Sequence, residues 1–371
     1  MSKAAELANL IGNINAGGGG VNRNVIINGA MNVAQRQVSA TGLGNTADSY
    51  PTLDRFKLSC DTSAATAGRL TMSQDSSAPS GFGNSLKLAC TTADTSIASG
   101  ELCALFQPIE GQNLQSFAKG TSDAKPFAVS FYVKGNASAT YMLELKDTDN
   151  TRLVHRQFSV TTDWTRIEVS FPKDTTGAFD NDNAKSLELR IFLHAGSNYT
   201  SGTYTADTWA GQTSANRAVG ISSFFDSTDR TFFITGVQLE VGQNPTEFES
   251  EPFERTLAKC QRYFYQVGFP DKVTSSVNVA MGYYLNSSRV DFVIDLPVTM
   301  RATPSVTANS GTNYFDAYMN GSDTFSTFDG INAATAQNFT IYRSSQISGT
   351  AGDAVTLNKS ASGLLAADAE L

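Results

Sequence analysis

Charge is scarce in this chain. Asp, Glu, Lys and Arg make up 17% of its 371 residues, and histidine occurs only twice, at His155 and His194. His155 and His194 are 39 positions apart, not the four that an H-E-x-x-H metal helix needs, and any Ser-His or Cys-His couple has only two possible centres. The four cysteines, Cys60, Cys90, Cys103 and Cys260, lie far apart and outside any C-x-x-C spacing. That spacing excludes a zinc knuckle and leads us to expect four free, buried thiols in a chain made in a reducing compartment. No G-x-S-x-G elbow, P-loop or G-x-G-x-x-G after a strand is present, so no catalytic residue, metal or cofactor is expected. No run approaches the ~18 apolar residues of a membrane-spanning helix, so membrane insertion is not expected. The first 15 residues, which include Glu6, lack the basic and apolar regions of a secretory signal. Basic excess is missing too: 27 Lys and Arg face 35 Asp and Glu, a net charge of −8 that argues against nucleic acid as a partner.

In place of charge the chain carries Ser and Thr, together about a fifth of all residues, with 23 Phe and 12 Tyr. That composition favours extended structure over helix. Period-two alternation confirms the direction. Phe127, Val129, Phe131 and Val133 face one way, as do Ile167, Val169 and Phe171, and Leu187, Leu189, Ile191 and Leu193. Phe233, Thr235, Val237, Leu239 and Val241 close the series. One buried face and one wet face is the mark of antiparallel sheets, and strands parted by Gly, Asn and Asp loops indicate a jelly-roll sandwich over residues 22–249. The fold class expected is therefore all-β: this sandwich and a smaller C-terminal β domain, with a short N-terminal helix and a connecting helix.

Residues 1–21 form a separate arm. Ala4, Leu7, Ile11 and Ile14 fall three and four apart, as in two heptads of a coiled-coil seam. The seam suits either self-association or docking on another protein, and Gly17 to Gly20 make a flexible joint after it. Residues 250–266 return to helical spacing, with Pro252 at the first turn and Phe253, Leu257, Cys260 and Phe264 on one stripe.

Residues 267–371 read as the smaller β domain. Val277, Val279, Met281 and Tyr283 lead to a turn at Asn286 to Ser288, and Asn320-Gly321 marks a second hairpin. With those two residues as the loop, Tyr318 pairs with Asp323, Asp316 with Phe325 and Tyr314 with Thr327. One face would then carry Tyr314, Asp316, Tyr318, Asp323 and Phe325. Rings beside carboxylates suit a sugar, whose C–H face stacks and whose hydroxyls donate; the same rings would also pack against a neighbouring subunit.

Other candidates are weaker. His155 and His194 sit in strand-like runs and read as strand-surface residues. Asp147 to Asn150 and Asp180 to Asn183 have oxygen-rich spacing but lack the glycine and terminal glutamate of an EF-hand, so they read as solvated turns. Trp164 and Trp209 read as core or rim packing.

The opening Asn22-Arg23-Asn24-Val25-Ile26-Ile27-Asn28-Gly29, with Gln35-Arg36 and Asp54-Arg55-Phe56, resembles that of many bacteriophage tail fibre proteins. So do Val129 to Lys134, Asp163-Trp164-Thr165, Asp174 to Gly177, and Thr235 to Gly242 running on through Thr246 to Glu249 and Cys260 to Tyr263. The ending, Pro297 through Met300-Arg301-Ala302-Thr303-Pro304 to Asp368-Ala369-Glu370-Leu371, is similar to phage fibre tips. The resemblance implies a virion tail fibre or receptor-binding protein: a jelly roll like those of carbohydrate-binding modules, followed by a distal domain that touches the host. It further implies a homotrimer held to the phage tail or an adaptor through Leu7, Ile11 and Ile14, assembled in the host cytoplasm. Its partner would be a bacterial surface polysaccharide. A tailspike depolymerase cleaving that polysaccharide and a structural tail adaptor or decoration protein are the alternatives.

Overall fold

The computed structural model describes residues 3–5, 8, 22–62, 67–269, 277–319 and 321–371. Leu7, Ile11, Ile14 and the glycine run lie outside the described residues. The chain divides into two compact units, residues 1–256 with 371, and residues 257–370.

The first unit is a jelly-roll sandwich of antiparallel strands. These are β1 (Ser39–Leu43), β2 (Ala47–Ser49), β3 (Lys57–Asp61), β4 (Arg69–Asp75), β5 (Ser85–Thr92), β6 (Leu102–Glu110) and β7 (Phe127–Gly135). They continue with β8 (Ala139–Asp147), β9 (Arg152–Val160), β10 (Thr165–Phe171), β11 (Lys185–Ala195), β12 (Ala210–Gly211) and β13 (Thr231–Val241). One sheet has the order β1-β4-β5-β13-β7-β10 and the other β12-β9-β8-β11-β6-β3-β2. The alternating residues predicted to point inward do so: Phe127, Val129, Phe131, Val133, Val169, Phe171, Leu187, Leu189, Ile191 and Leu193 all belong to one core between the sheets.

Strand β13 departs from the expected alternation. Phe232 and Ile234 face the core in its first half, and Val237, Leu239 and Val241 in its second, so Phe233 and Thr235 lie on the opposite face. The register against β7 shifts between Thr235 and Gln238. The cause is a bulge at Gly236, whose φ is 63°. A Cβ there would lie 2.7 Å from the Phe82 ring and 3.0 Å from Tyr132, so only glycine fits.

The segments around Asn28, Asp54 and Glu240 are knots of buried polar groups. Asn28, at φ 61°, donates to the carbonyls of Val33 and Asp54 and accepts from the amides of Asn32 and Val33. Asp54 in turn accepts from the Gln35 amide at 2.9 Å. The opening strand-like segment is tied to the later motif: the Asn22 and Asn24 amides donate to Glu249 at 2.6 and 2.9 Å, and Asn24 Oδ1 accepts from the Leu239 amide. Buried Glu240 accepts from the Thr246 amide at 2.7 Å and from its hydroxyl. Such groups are costly to bury unless they are paired.

The connecting helix is shorter than its apolar stripe suggests, Phe253–Gln261. Phe264 belongs instead to a strand, because its backbone pairs with Asp368.

The second unit holds β14 (Phe264–Gln266), β15 (Val277–Asn286), β16 (Arg289–Asp295), β17 (Ser305–Ala308) and β18 (Phe315–Tyr318). It ends with β19 (Ser322–Phe325), β20 (Gly330–Ala334), β21 (Asn338–Arg343), β22 (Ala354–Lys359) and β23 (Leu365–Asp368). A three-stranded sheet β14-β23-β17 and a seven-stranded sheet β19-β18-β22-β15-β16-β21-β20 enclose a second core of Phe292, Phe315, Phe325, Phe339, Ile341 and Leu357 among others.

Candidate functional site

The hairpin Phe315–Phe325 differs from its expected register by one residue. Tyr318 pairs with Ser322, Ala317 with Asp323, Asp316 with Thr324 and Phe315 with Phe325. Three residues, not two, separate the paired ends. Because side chains alternate with period two, the slip moves Asp323 and Phe325 to the opposite face from Asp316 and Tyr318. Phe325 is 1% exposed and stacks on Phe315 at 5.9 Å inside the second core. Asp323 accepts from the Ser348 amide at 2.7 Å and from the Tyr284 hydroxyl at 3.3 Å. Tyr314 precedes the strand and packs against the core. Of the five expected residues, Asp316 and Tyr318 share the outer face.

That face continues across the sheet. The register places Ser322, Tyr318, Thr356, Met281, Val293 and Thr340 in one row over six strands. A second row runs Ala354, Tyr283, Asp291 and Tyr342. Met281 is 62% exposed, Tyr318 49% and Tyr283 45%. Tyr342 is covered by Arg289 at 4.2 Å, and that guanidinium also holds Asp291 at 2.7 Å. Beside Tyr318, Asn358 donates to Asp316 Oδ2 at 3.2 Å, while Asp316 Oδ1 and Asn358 Oδ1 have no donor among the described residues. Met281 and Tyr283 alternate in the sequence, but the register shifts between Asn278 and Ala280 and Val279 packs on the second core, so the run from Val277 does not share one face.

In the first unit, the outer face of the seven-stranded sheet is of another kind. One row crosses five strands: His155, Glu144, Arg190, Phe106, Lys57. The next runs Leu153, Lys146, Glu188, Pro108, and the one on the other side Gln157, Met142, Phe192, Ala104, Ser59. The segment after β11 covers the last of these, packing Ala218, Tyr199, Tyr204 and Ile221 onto Met142, Phe192 and Ala104. From it Arg217 reaches buried Glu144 with two bonds of 2.9 and 2.5 Å and lies 5.0 Å over Phe192.

The two histidines are not surface residues. Burial holds His155 below the ordinary imidazole range, with Tyr204 5.5 Å away. His194 is fully buried; its Nδ1 lies 2.8 Å from the Ser223 hydroxyl and its Nε2 3.1 Å from Glu101. This is a Ser-His-Glu chain, yet the Ser223 oxygen also accepts from the Phe225 amide at 3.1 Å, as in a turn. Burial, outweighing Glu101, keeps the His194 ring neutral at ordinary pH. The first acidic loop is likewise not a solvated turn. Asp147 is buried and receives Lys119 Nζ at 2.5 Å, which also lies 3.2 Å from Asp174. A lysine occupies the place a cation would take. The second loop is exposed, and Asp182 accepts from the Ala184 amide at 2.9 Å. Trp209 donates to the Pro172 carbonyl and packs on the first core, and Trp164 meets Phe233 edge-on at 6.1 Å.

No family model matches the chain, and no curated protein matches it. Among solved structures it is similar in part to the enzymatically active domain of tailspike protein 4 of bacteriophage CBA120, at 12% identity and a TM-score of 0.31 over 59% of this chain. The match spans 21% of that tailspike domain's own length. It is also similar to TmCBM61 in complex with β-1,4-galactotriose (11% identity, TM-score 0.29, 59% of this chain and 99% of that one). A third similarity is to the family 11 carbohydrate-binding module of the Clostridium thermocellum cellulase Lic26A-Cel5E (12% identity, TM-score 0.27, 55% of this chain and 96% of that one).

Proposed function

We propose that this chain is a bacteriophage tail fibre that attaches the virion to a bacterial surface polysaccharide, binding it without cleaving it. The observation that carries the reading is the outer face of the second unit, where exposed Tyr318 stands beside Asp316 and Asn358. The tyrosine ring offers a flat apolar surface to a sugar's C–H face. Beside the ring, the Asp316 carboxylate and the Asn358 amide add a polar edge of the kind that sugar hydroxyls meet, although Asp316 Oδ1 and Asn358 Oδ1 are themselves buried and without donors among the described residues. Tyr283, one row away, extends the aromatic surface. The resemblance of the opening and closing motifs to phage fibres supports the biological setting. In that setting three copies join, the arm carrying Leu7, Ile11 and Ile14 holds the tail or its adaptor, and linked copies turn weak single sites into firm attachment.

A second reading has its own observation. Met281 and Val293, at the centre of the same face, are exposed aliphatic side chains with no stacking ring. A neighbouring subunit would cover them well, which makes the face a contact between copies. A glycan array probed with the full-length chain and with Tyr318→Ala, each weighed by light scattering, separates the two. Sugar signal lost in the variant with oligomer mass unchanged is the expected result. Loss of mass with unchanged signal per copy favours the contact.

A further inference from the structure

The first unit carries a second surface, built on charge where the second unit's is built on exposed rings. On the outer face of its seven-stranded sheet, past the end of the covering segment, carboxylates recede and cations remain. Glu188 is 1% exposed, between Lys185 Nζ at 2.6 Å and Arg190 Nε at 2.7 Å. Glu144 is sealed by Arg217, and Glu110, also on this face, is fully buried. The side chains of Arg190, Lys57 and Lys185 stay 13%, 20% and 36% exposed, and Lys146 is half-buried between them. One exposed acid adjoins them, Asp48 on edge strand β2, paired with Lys57 at 3.1 Å.

Glu110, Glu144 and Glu188 share this face with Lys146, Lys185 and Arg190, but all three carboxylates are buried, so the charge left toward solvent is mainly cationic. Lys146 faces Glu188 across the strands, yet makes no hydrogen bond or ion pair among the described residues. Burial first, and then the Arg190 guanidinium, hold its ammonium below the ordinary lysine range, the state of a cation short of an anion. No ring is open for stacking here. Phe106 is covered by Arg190 at 4.6 Å and approached by Lys57 at 5.5 Å, and Phe192 is covered by Arg217.

We infer that this face binds an acidic polysaccharide, taking the carboxylates of successive uronate residues on Lys146, Arg190 and Lys57. The occupant is chosen by charge complementarity and by span. From β8 through β11 and β6 to β3 the cations spread over three strand spacings, ~14 Å, more than a single small anion bridges. Guanidinium and ammonium groups meet carboxylates with charge-assisted hydrogen bonds, and a polymer of moderate charge density is repelled less by the −8 chain than a polyphosphate would be. The choice of a polysaccharide rests on the attachment reading; the anionic character of the ligand does not.

Affinity electrophoresis of the full chain tests this, with polygalacturonate, neutral dextran or poly-dT in the gel. Polygalacturonate should retard the protein, dextran should not, and raising salt should release it. Lys146→Met keeps the packing of the stem and should weaken retention ~10-fold or more, the worth of one charged hydrogen bond, while Lys146→Arg keeps it. No retention by polygalacturonate, equal retention by dextran, or retention unchanged in Lys146→Met would overturn the inference. Tighter retention by poly-dT would overturn the choice of polysaccharide. Attachment to cells is a separate readout: if cells bind while polygalacturonate does not, this inference alone falls; if polygalacturonate binds while cells do not, the attachment reading falls.

Discussion

Arg217 and Glu144 show how burial sets the worth of a single residue in this fold. Their two hydrogen bonds lie in a place with almost no water, and the Arg217 guanidinium is also stacked over Phe192. Removing the arginine leaves a carboxylate at 0% exposure without its partner. Arg217→Met should therefore cost about 3–5 kcal/mol, read as a lower denaturant midpoint. Arg230 makes the same kind of pair with Asp226, whose side chain is 41% exposed, and Arg230→Met should cost under ~1 kcal/mol. Equal losses for the two variants would contradict this. The Arg217–Glu144 pair could not be read from the sequence, because its partners are 73 residues apart and nothing local marks them. Gly236 was equally silent. A lone glycine in an alternating run looks like a weak point, and only the Phe82 and Tyr132 rings pressed against it show why the strand must bulge there.

At the scale of elements, the hairpin Phe315–Phe325 is where sequence and structure part most usefully. The strands on either side of Asn320 pair antiparallel, Phe315–Tyr318 with Ser322–Phe325. The loop length was not legible, and one residue of slip exchanges faces. The consequence is a pair of opposite outcomes. Phe325→Ala should cost about 3–5 kcal/mol, since it empties part of the second core. Tyr318→Ala should leave stability within ~0.5 kcal/mol, since its ring is half exposed. Thermal unfolding of the two variants checks the register directly: similar losses in both would put Tyr318 and Phe325 on one face and restore the two-residue loop. The long strands of the sandwich were read well because one face of each is uniformly apolar. The connecting helix was overextended because Phe264 keeps the helical spacing while its backbone belongs to a sheet.

For the whole molecule, acid is the condition that probes the most buried groups at once. His155 and His194 are held by burial below their ordinary 6.5, so the unfolded chain takes up their protons first. Their contribution to stability is complete above about 6.5 and shrinks as pH falls below it. Burial alone would raise Glu188, but Arg190 and Lys185 outweigh it and keep the carboxyl below its ordinary 4.5. That contribution is full above 4.5 and is lost at lower pH. The guanidinium midpoint of the sandwich should thus fall in two stages, from neutral pH toward 5 and again below 4.5. A midpoint that is flat or rising on acidification would show that these groups are paired differently. At this scale the all-β class and the division into a sandwich and a smaller β unit follow from composition and alternation, whereas the charged face around Glu188 required the register of five strands to be known.

Attachment itself is tested most directly by measuring how much full-length protein host cells retain, with wild type beside a Tyr318→Ala/Asp316→Ala variant of unchanged circular dichroism. The account predicts saturable retention of the wild type, abolished by stripping the surface polysaccharide, and retention near background for the variant. Equal retention of both proteins, or retention that survives on stripped cells, would contradict it.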